Sequence, residues 1–517
     1  MKKNIALRMI SSLLAAAVLL SPAACSSGGS AVSSGSSSAQ EEKTPQDGGD
    51  FVYGLQTQPR HLNPYLNTSA DTRVILFNIF EGLVKPDKDG NLNPAVAESY
   101  TTSDDAASYT FKLRPGVKFQ TGKAVTADDV VYSLSTAAGL KTGKPLVAGL
   151  KNIKSVEAKD ASTVTIHLKE ADYDFLPELT VAILPKGYTE QDTHPIGTGP
   201  YMFESYSPQQ KLVLKKNPYY WQKGLPHFDK VTFKLESDSN ALLTDLQGGS
   251  VDGASIANNV ASQLGSEFQV IASNSNSVQL LALNNKTEPF NNADVRRAVC
   301  YAVNPDEIIQ TVDFGKGVRC GSPVIPGLKK YCDTSLAKAY NHNTAKAKQL
   351  LAKAGYPNGF SMSITVPSNY TVHVETAQVI VNELKEVGIK ATIHQVDFAT
   401  WLSKAYHNRE YQSTIVSVDG ATLSPRSYLS RYVSDSDKNF TNYSSAAYDA
   451  LYRKAETEKD ETKRIALYKQ AQKMLSDDAA SVYIQDISNL NALKNGISGF
   501  TAYPLYVFDA ASLYRTK

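Results

Sequence analysis

Residues 360–396 read FSMSITVPSNYTVHVETAQVIVNELKEVGIKATIHQV. From Phe360 to Val366 apolar and polar residues alternate, the period of a half-buried strand. From His373 to Val387 the period changes: Val374, Ala377, Ile380, Val381, Leu384 and Val387 share one helical face, and Gly388 stands where a C-terminal glycine cap is expected. Ile389 to Val396 returns to period two. A strand, helix and strand in this order imply a parallel pair with a right-handed crossover, so the fold class is α/β.

Outward from this unit the alternation of strand and helix signals continues. Tyr109–Leu113, Thr163–Leu168, Leu212–Lys215 and Val231–Leu235 read as strands. Ala446–Glu458 and Glu461–Asp478 read as helices with Leu451, Ala455, Ile465, Tyr468, Ala471 and Leu475 facing inward. Thr126-Ala127-Asp128-Asp129-Val130 reads as a capped helix start. There is no solenoid repeat.

The composition excludes several classes. With 517 residues, 42% of them hydrophobic, 31 Gly, 23 Pro and 4 Cys, the chain is neither disordered, collagen-like nor a disulfide framework. Basic and acidic side chains number 53 and 51; removing residues 1–25, which hold Lys2, Lys3 and Arg8 and no acid, leaves 50 against 51. A formal charge near zero gives no reason to expect nucleic-acid binding. At roughly 100 to 200 residues per domain, the remainder has room for about three domains.

Residues 1–25 have the charged, apolar and small-residue order of a secretory signal, and the apolar run Met9–Leu20 is shorter than the ~20 residues of a membrane span. Ala23 and Ala24 before Cys25 resemble the lipobox of bacterial lipoproteins, in which the cysteine is lipidated, although Pro22 stands where leucine is usual. The alternative is ordinary secretory cleavage. Residues 26–50, rich in Ser and Gly, lack the apolar surface needed to fold and read as a tether. The expected location is extracytoplasmic, on the membrane through the lipid alone.

Cys300 sits on the helical face of Val295, Ala298, Val299 and Ala302 and reads as a buried small hydrophobe. Cys320 and Cys332 bracket a Gly- and Pro-containing loop in an oxidising compartment, so a disulfide is expected, with two thiols as the alternative. Their spacing without a nearby histidine speaks against zinc.

Catalytic patterns are missing. The sequence has no G-x-S-x-G, no H-E-x-x-H and no G-x-x-x-x-G-K-[ST]. Its eight histidines are scattered singly, and the pairs Asp104–Asp105, Asp128–Asp129 and Asp477–Asp478 read as caps and turns. No enzyme activity, cofactor or metal is expected, and no His, Met or Cys cluster suggests nickel or haem.

Five collinear motif groups carry a resemblance. F-E-G-L-V at Phe80, P-A-V-A-E-S-Y at Pro94, Y-T-F-K-L-R-P-G-V-K-F at Tyr109 and G-K-A-V-T-A-D-D-V-V-Y-S at Gly122 form the first. G-T-G-P-Y at Gly197, N-P-Y-Y-W at Asn217, F-N-N-A-D-V-R-R-A-V-C-Y-A-V-N-P-D-E-I at Phe290 and N-T-A-K-A-K-Q-L-L-A-K-A-G-Y-P-N-G-F at Asn343 follow in order. Together they closely resemble the family 5 extracytoplasmic solute-binding proteins, the oligopeptide and dipeptide binders of ABC importers.

The resemblance implies a two-lobed periplasmic-binding-protein type II fold with an extra inserted domain. Carried onto this chain, lobe I comprises 51–88, 198–286 and 483–517, the inserted domain 89–197, and lobe II 287–482. It implies a monomer that holds a small solute, an oligopeptide first and an oligosaccharide or other polar solute second, between its lobes. Delivery to ABC permease subunits follows, with a surface sensor as the other class. The implied ligand-contacting positions are Thr68, Ser69 and Ala70 in the loop before the F-E-G-L segment, Asn284, and Ser417, Val418, Asp419 and Ala421. Peptide binders of the family carry a tryptophan and an ammonium-neutralising aspartate where this chain has Val418 and Ala421. Asp419 is the nearest acid, displaced by two residues.

Overall fold

The strand pairings define one large mixed sheet. The structure, a computed structural model, describes residues 44–66, 70–420 and 422–516. Across the sheet the strands run Lys390–Val396, Ser361–Pro367, Ser413–Asp419, Phe268–Leu283, Ser481–Lys494, Gly253–Ile256, Asp50–Leu55, Lys230–Leu235, Lys211–Lys216 and Tyr201–Ser207. Val318–Arg319 pairs with Ser481–Lys494 off this path.

The expected strand, helix, strand unit is present. Ser361–Pro367 and Lys390–Val396 pair in parallel, with helix Thr371–Glu386 between them. Gly388 closes the helix at φ +86°, a backbone region glycine enters without a Cβ penalty. The helix buries Ala377, Ile380 and Leu384 against Ile364 and Val366 of the strand. Period 3.6 therefore meets period 2 across one core.

Phe268–Leu283 and Ser481–Lys494, 16 and 14 residues long, run through both halves of the sheet. They pair antiparallel from Phe268 with Lys494 to Ala282 with Ser481. Their register shifts between Asn274 and Val278, and there Asn276 takes φ +59°, which asparagine tolerates better than most residues. On one side of this break hydrophobic clusters form around Phe51, Phe228 and Phe233 and around Leu242 and Leu246; on the other, around Tyr448 and Leu475 and around Ile364 and Leu384.

A separate antiparallel sheet, Ala97–Thr102, Ser108–Leu113, Thr163–Leu168 and Ile153–Ala158, packs on helix Ala127–Ala137. That helix starts as its sequence says. The Asp129 N–H donates to Thr126 Oγ1 and the Thr126 N–H to Asp129 Oδ2, a reciprocal capping box.

Three expectations need correction. Cys320 and Cys332 are not bonded: both are buried thiols, Cys320 donating to the Val318 carbonyl at 3.6 Å and Cys332 to that of Val324 at 3.4 Å. Burial raises both thiols, Cys332 to about 11. The tether ends before residue 50, because Pro45–Gln46 pairs with Tyr514–Thr516 and Asp47 accepts from His227 at 2.7 Å. The last long helix, Glu461–Asp477, buries Arg464, Leu467 and Tyr468, while Ile465 is only half-buried. A salt bridge draws Arg464 inward, which helical periodicity of apolar residues does not reveal.

Candidate functional site

The two crossing strands are not the only junction between the halves. After strand Thr163–Leu168 the chain runs through Asp172 to the short helix Leu176–Thr180. This segment is fixed from behind: Tyr109 Oη donates to the Asp172 carbonyl at 2.5 Å, and the Phe175 ring packs 5.9 Å from that of Tyr109. Its acids point at residues some 250 to 290 positions away. Arg426 Nη1 donates to both Asp172 oxygens at 2.7 and 2.6 Å, and its Nε lies 3.3 Å from Glu456. Arg464 Nε donates to Asp174 Oδ1 at 3.1 Å, and Tyr468 Oη donates to Asp174 Oδ2 at 2.5 Å.

The Asp174–Arg464 pair is almost dry, with side-chain exposures of 5% and 8%. Burial pushes the Asp174 carboxyl above its ordinary range, against the opposing pull of Tyr468 and Arg464. Removing two charges from water costs several kcal/mol each, which close pairing and a second hydrogen bond offset. This junction holds only while both sides are in contact.

A second cross-contact lies nearer the crossing strands. Arg73, in helix Ala70–Leu76, donates to Asp419 Oδ2 at 2.7 Å from the end of strand Ser413–Asp419. These side chains stay 30% and 44% exposed, so water screens the pair and removing one partner costs less than in the dry one. Between the two junctions Thr422 Oγ1 donates to Glu178 Oε1 at 3.4 Å. Burial pushes Glu178 up, with Arg426 the largest opposing influence.

The floor is polar and incompletely satisfied. Asp486, fully buried on Ser481–Lys494, accepts from Ser275 Oγ at 3.1 Å and Ser277 N at 3.3 Å through Oδ1, while Oδ2 has no partner. Burial raises its carboxyl to about 7. The Ser417 hydroxyl is likewise buried without a partner. A cavity of about 40 Å³ lined by Tyr53, Ser273, Asn274, Asn276, Asn489 and Asn491 has room for a few waters. A dipeptide does not fit it.

A row of rings runs from Tyr370 through Phe398, Trp401 and Tyr406 to Phe440, at centroid spacings of 5.8, 5.8, 5.9 and 5.3 Å, with Trp401 and Phe440 buried in a core cluster. Arg431 Nη1 donates to the Tyr406 hydroxyl at 2.9 Å. Among the described residues no group of three His, Cys, Asp or Glu is placed to hold a metal. His373 is buried with Gln279 donating to its Nδ1 at 3.0 Å, and burial lowers its pKa to about 4, so it stays neutral.

Of the residues expected to meet ligand, Thr68, Ser69 and Ala421, like the lipidation candidate Cys25, lie outside the described residues; Ala70 opens helix Ala70–Leu76. Ser417 and Asp419 fall on one face of their strand, and Asp419 meets Arg73. Val418 lies in the core beside Tyr428. Asn284 is engaged elsewhere, donating to the Arg409 and Tyr411 carbonyls and accepting from Asn442 and the Lys286 N–H. These bonds engage both the amide nitrogen and the carbonyl oxygen of Asn284. Arg73, Asp172, Asp174, Glu178 and Arg464 were not legible as site residues, because each partner is hundreds of residues away.

The comparison that decides the family covers residues 91–440, which match the bacterial extracellular solute-binding proteins, family 5 Middle. The chain belongs to this family. The family 5 protein is 29% identical over 476 residues to the glutathione-binding protein GsiB of Shigella dysenteriae, covering 88% of this chain and 92% of GsiB. In structure it is similar to the ABC transporter substrate-binding protein CtaP of Listeria monocytogenes, with TM-score 0.82 and 25% identity, over 91% and 100% of the two chains. It is also similar to the periplasmic binding protein DppA of Helicobacter pylori, solved with the peptide STSA. There the TM-score is 0.76 and the identity 27%, over 91% and 99%. As a family 5 member it is an extracytoplasmic binding protein of an ABC importer and not an enzyme. Its fold is the type II periplasmic-binding-protein fold.

Proposed function

We propose that this family 5 protein captures an oligopeptide between two closing lobes and delivers it to its ABC permease as a lipid-anchored monomer. The observation that carries the closure reading is the set of side-chain pairs Arg73–Asp419, Asp172–Arg426 and Asp174–Arg464, which join halves otherwise linked by two long strands. The lobes are 51–88 with 198–286 and 483–517, and 287–482, with 89–197 as the inserted domain. A solute that contacts both lobes favours the closed state by its differential affinity. The peptide assignment is supported by the likeness to DppA with its bound peptide.

A second polar solute class is favoured by one observation: Asp419 is already paired with Arg73, and position 421 is alanine. Native mass spectrometry of the purified protein, followed by release and identification of what it carries, separates the two. Adding that solute to stripped protein should reduce the radius of gyration and raise the melting temperature as mass action requires. An unchanged scattering profile with the bound solute would sink the closure reading. The anchor has its own expected result: Cys25→Ala moves the protein from the membrane fraction to the soluble fraction, and a variant that stays with the membrane rules out lipidation at Cys25.

A further inference from the structure

Among the described residues, the acids that make the cross-contacts between the halves each have a cation within salt-bridge distance, with Glu178 the exception. Asp172 and Glu456 share Arg426, Asp174 has Arg464, and Asp419 has Arg73. Among the described residues no Lys, Arg or His nitrogen lies within 4.0 Å of Glu178, whose only described side-chain hydrogen bond is the 3.4 Å one from Thr422.

Glu178 is nevertheless held in place. Its carboxylate occupies the space left open by Gly149: a methyl group there would come within 1.7 Å of Oε2. Phe175 and Leu179, buried on either side, anchor the short helix that carries it. Glu178 reaches the other half at Thr422, adjacent to position 421, where the chain has alanine.

We propose that Glu178 is the carboxylate that receives the cationic group of the captured solute, in a peptide its α-ammonium, when the halves close. The inference rests on the peptide reading above and deepens it. An ammonium sealed from water needs a carboxylate partner, since burial without one is costly. The other junction acids already spend their charge on arginines. Arg426 is the largest cationic influence on Glu178 and Lys438 a lesser one, but Arg426 is held by Asp172 and Glu456, and neither cation comes within 4.0 Å of Glu178, so neither forms a salt bridge with it. The cation at Glu178 would come from one half's guest while Thr422 comes from the other half, which ties recognition to closure.

The test uses the full chain, stripped of bound solute, with a random tetrapeptide pool and the same pool N-acetylated, read by titration calorimetry. Wild type should bind the free pool at least about 30-fold more tightly than the acetylated pool. Glu178→Gln should lose a similar factor toward the free pool and cease to distinguish the two. Gly149→Ala, which displaces the carboxylate without changing its charge, should lose the same discrimination, and circular dichroism should show both variants folded. If Glu178→Gln discriminates as wild type does, the ammonium is paired elsewhere and the proposal is overturned. If neither pool binds wild type, the peptide reading fails separately. Glu178 is then judged on the co-purified solute: one with a cationic group that Glu178→Gln no longer retains supports its role, and a neutral or purely anionic one overturns it.

Discussion

Arg464→Met should weaken binding of the co-purified solute by about 150- to 5,000-fold. The factor corresponds to the roughly 3 to 5 kcal/mol lost when one partner of a buried ion pair is removed and the other is left uncompensated. Asp174 and Arg464 are 5% and 8% exposed, and Tyr468 completes the second Asp174 oxygen. The two residues belong to opposite halves, so the penalty falls on the closed state. Unfolding of the solute-free protein should change far less, because the Asp174 carboxylate left behind can be hydrated in the open state. Arg464 also donates to the Glu458 and Lys459 carbonyls, and the reciprocal variant Asp174→Leu controls for that local effect. The double variant Asp174→Leu, Arg464→Met should recover most of the loss, since well-packed apolar residues replace buried pairs at little cost. Scattering should show both single variants more expanded at equal solute concentration. Single variants with wild-type affinity and dimensions would show that the junction does not govern closure.

Asp486→Asn should stabilise the protein at pH 8 by up to about 4 kcal/mol and leave it unchanged near pH 4. The native carboxyl is raised from 3.8 to about 7 by burial, with Ser275 and the Ser277 N–H only partly opposing. Below about pH 4 it is protonated whether the chain is folded or not. Between about pH 4 and 7 only the folded state holds the proton, so stability attributable to Asp486 is present at low pH and falls as pH rises through 7. Three pH units at about 1.4 kcal/mol each give the magnitude. Asparagine keeps the Oδ1 acceptor and removes the charge. Two other buried groups titrate nearby: Glu383, raised to about 8, acts in the same direction, and His373, lowered to about 4, acts in the opposite one. The quantity to measure is therefore the wild-type-minus-variant difference in denaturant-derived stability at pH 5, 6, 7 and 8, in which both cancel. A difference that does not grow with pH would mean that Asp486 is hydrated or paired in solution.

Asp486 also marks the limit of local sequence reading. It follows Ile484 and Gln485 in an ordinary strand stretch, and nothing within ten residues says that this carboxyl is sealed beneath Ser275 and Ser277. The 360–396 unit is the opposite case. Its apolar spacing is enough to give two strands and a helix, and the parallel pairing of Ser363 with Thr392 follows from the crossover. The Thr126 capping box is equally local, because all its partners lie within three residues. Cys320 and Cys332 show a local pattern misleading: spacing and compartment suggested a bond, but each thiol is satisfied by a nearby carbonyl inside an apolar cluster.

What the amino-acid order determined by itself was the α/β class, the helix caps, the absence of catalytic motifs and, through collinear motifs, the family. These depend on interactions between residues a few positions apart or on the succession of whole segments, and both survive in one dimension. The tertiary structure alone decided that Asp419 is paired with Arg73, that Asn284 is hydrogen-bonded to the Tyr411 carbonyl and to Asn442, and that Glu178 has no Lys, Arg or His nitrogen within 4.0 Å among the described residues while Asp172 has Arg426. Charge compensation and burial depend on which distant segments share a small volume, and residues 240 to 350 positions apart leave no periodicity by which to find each other.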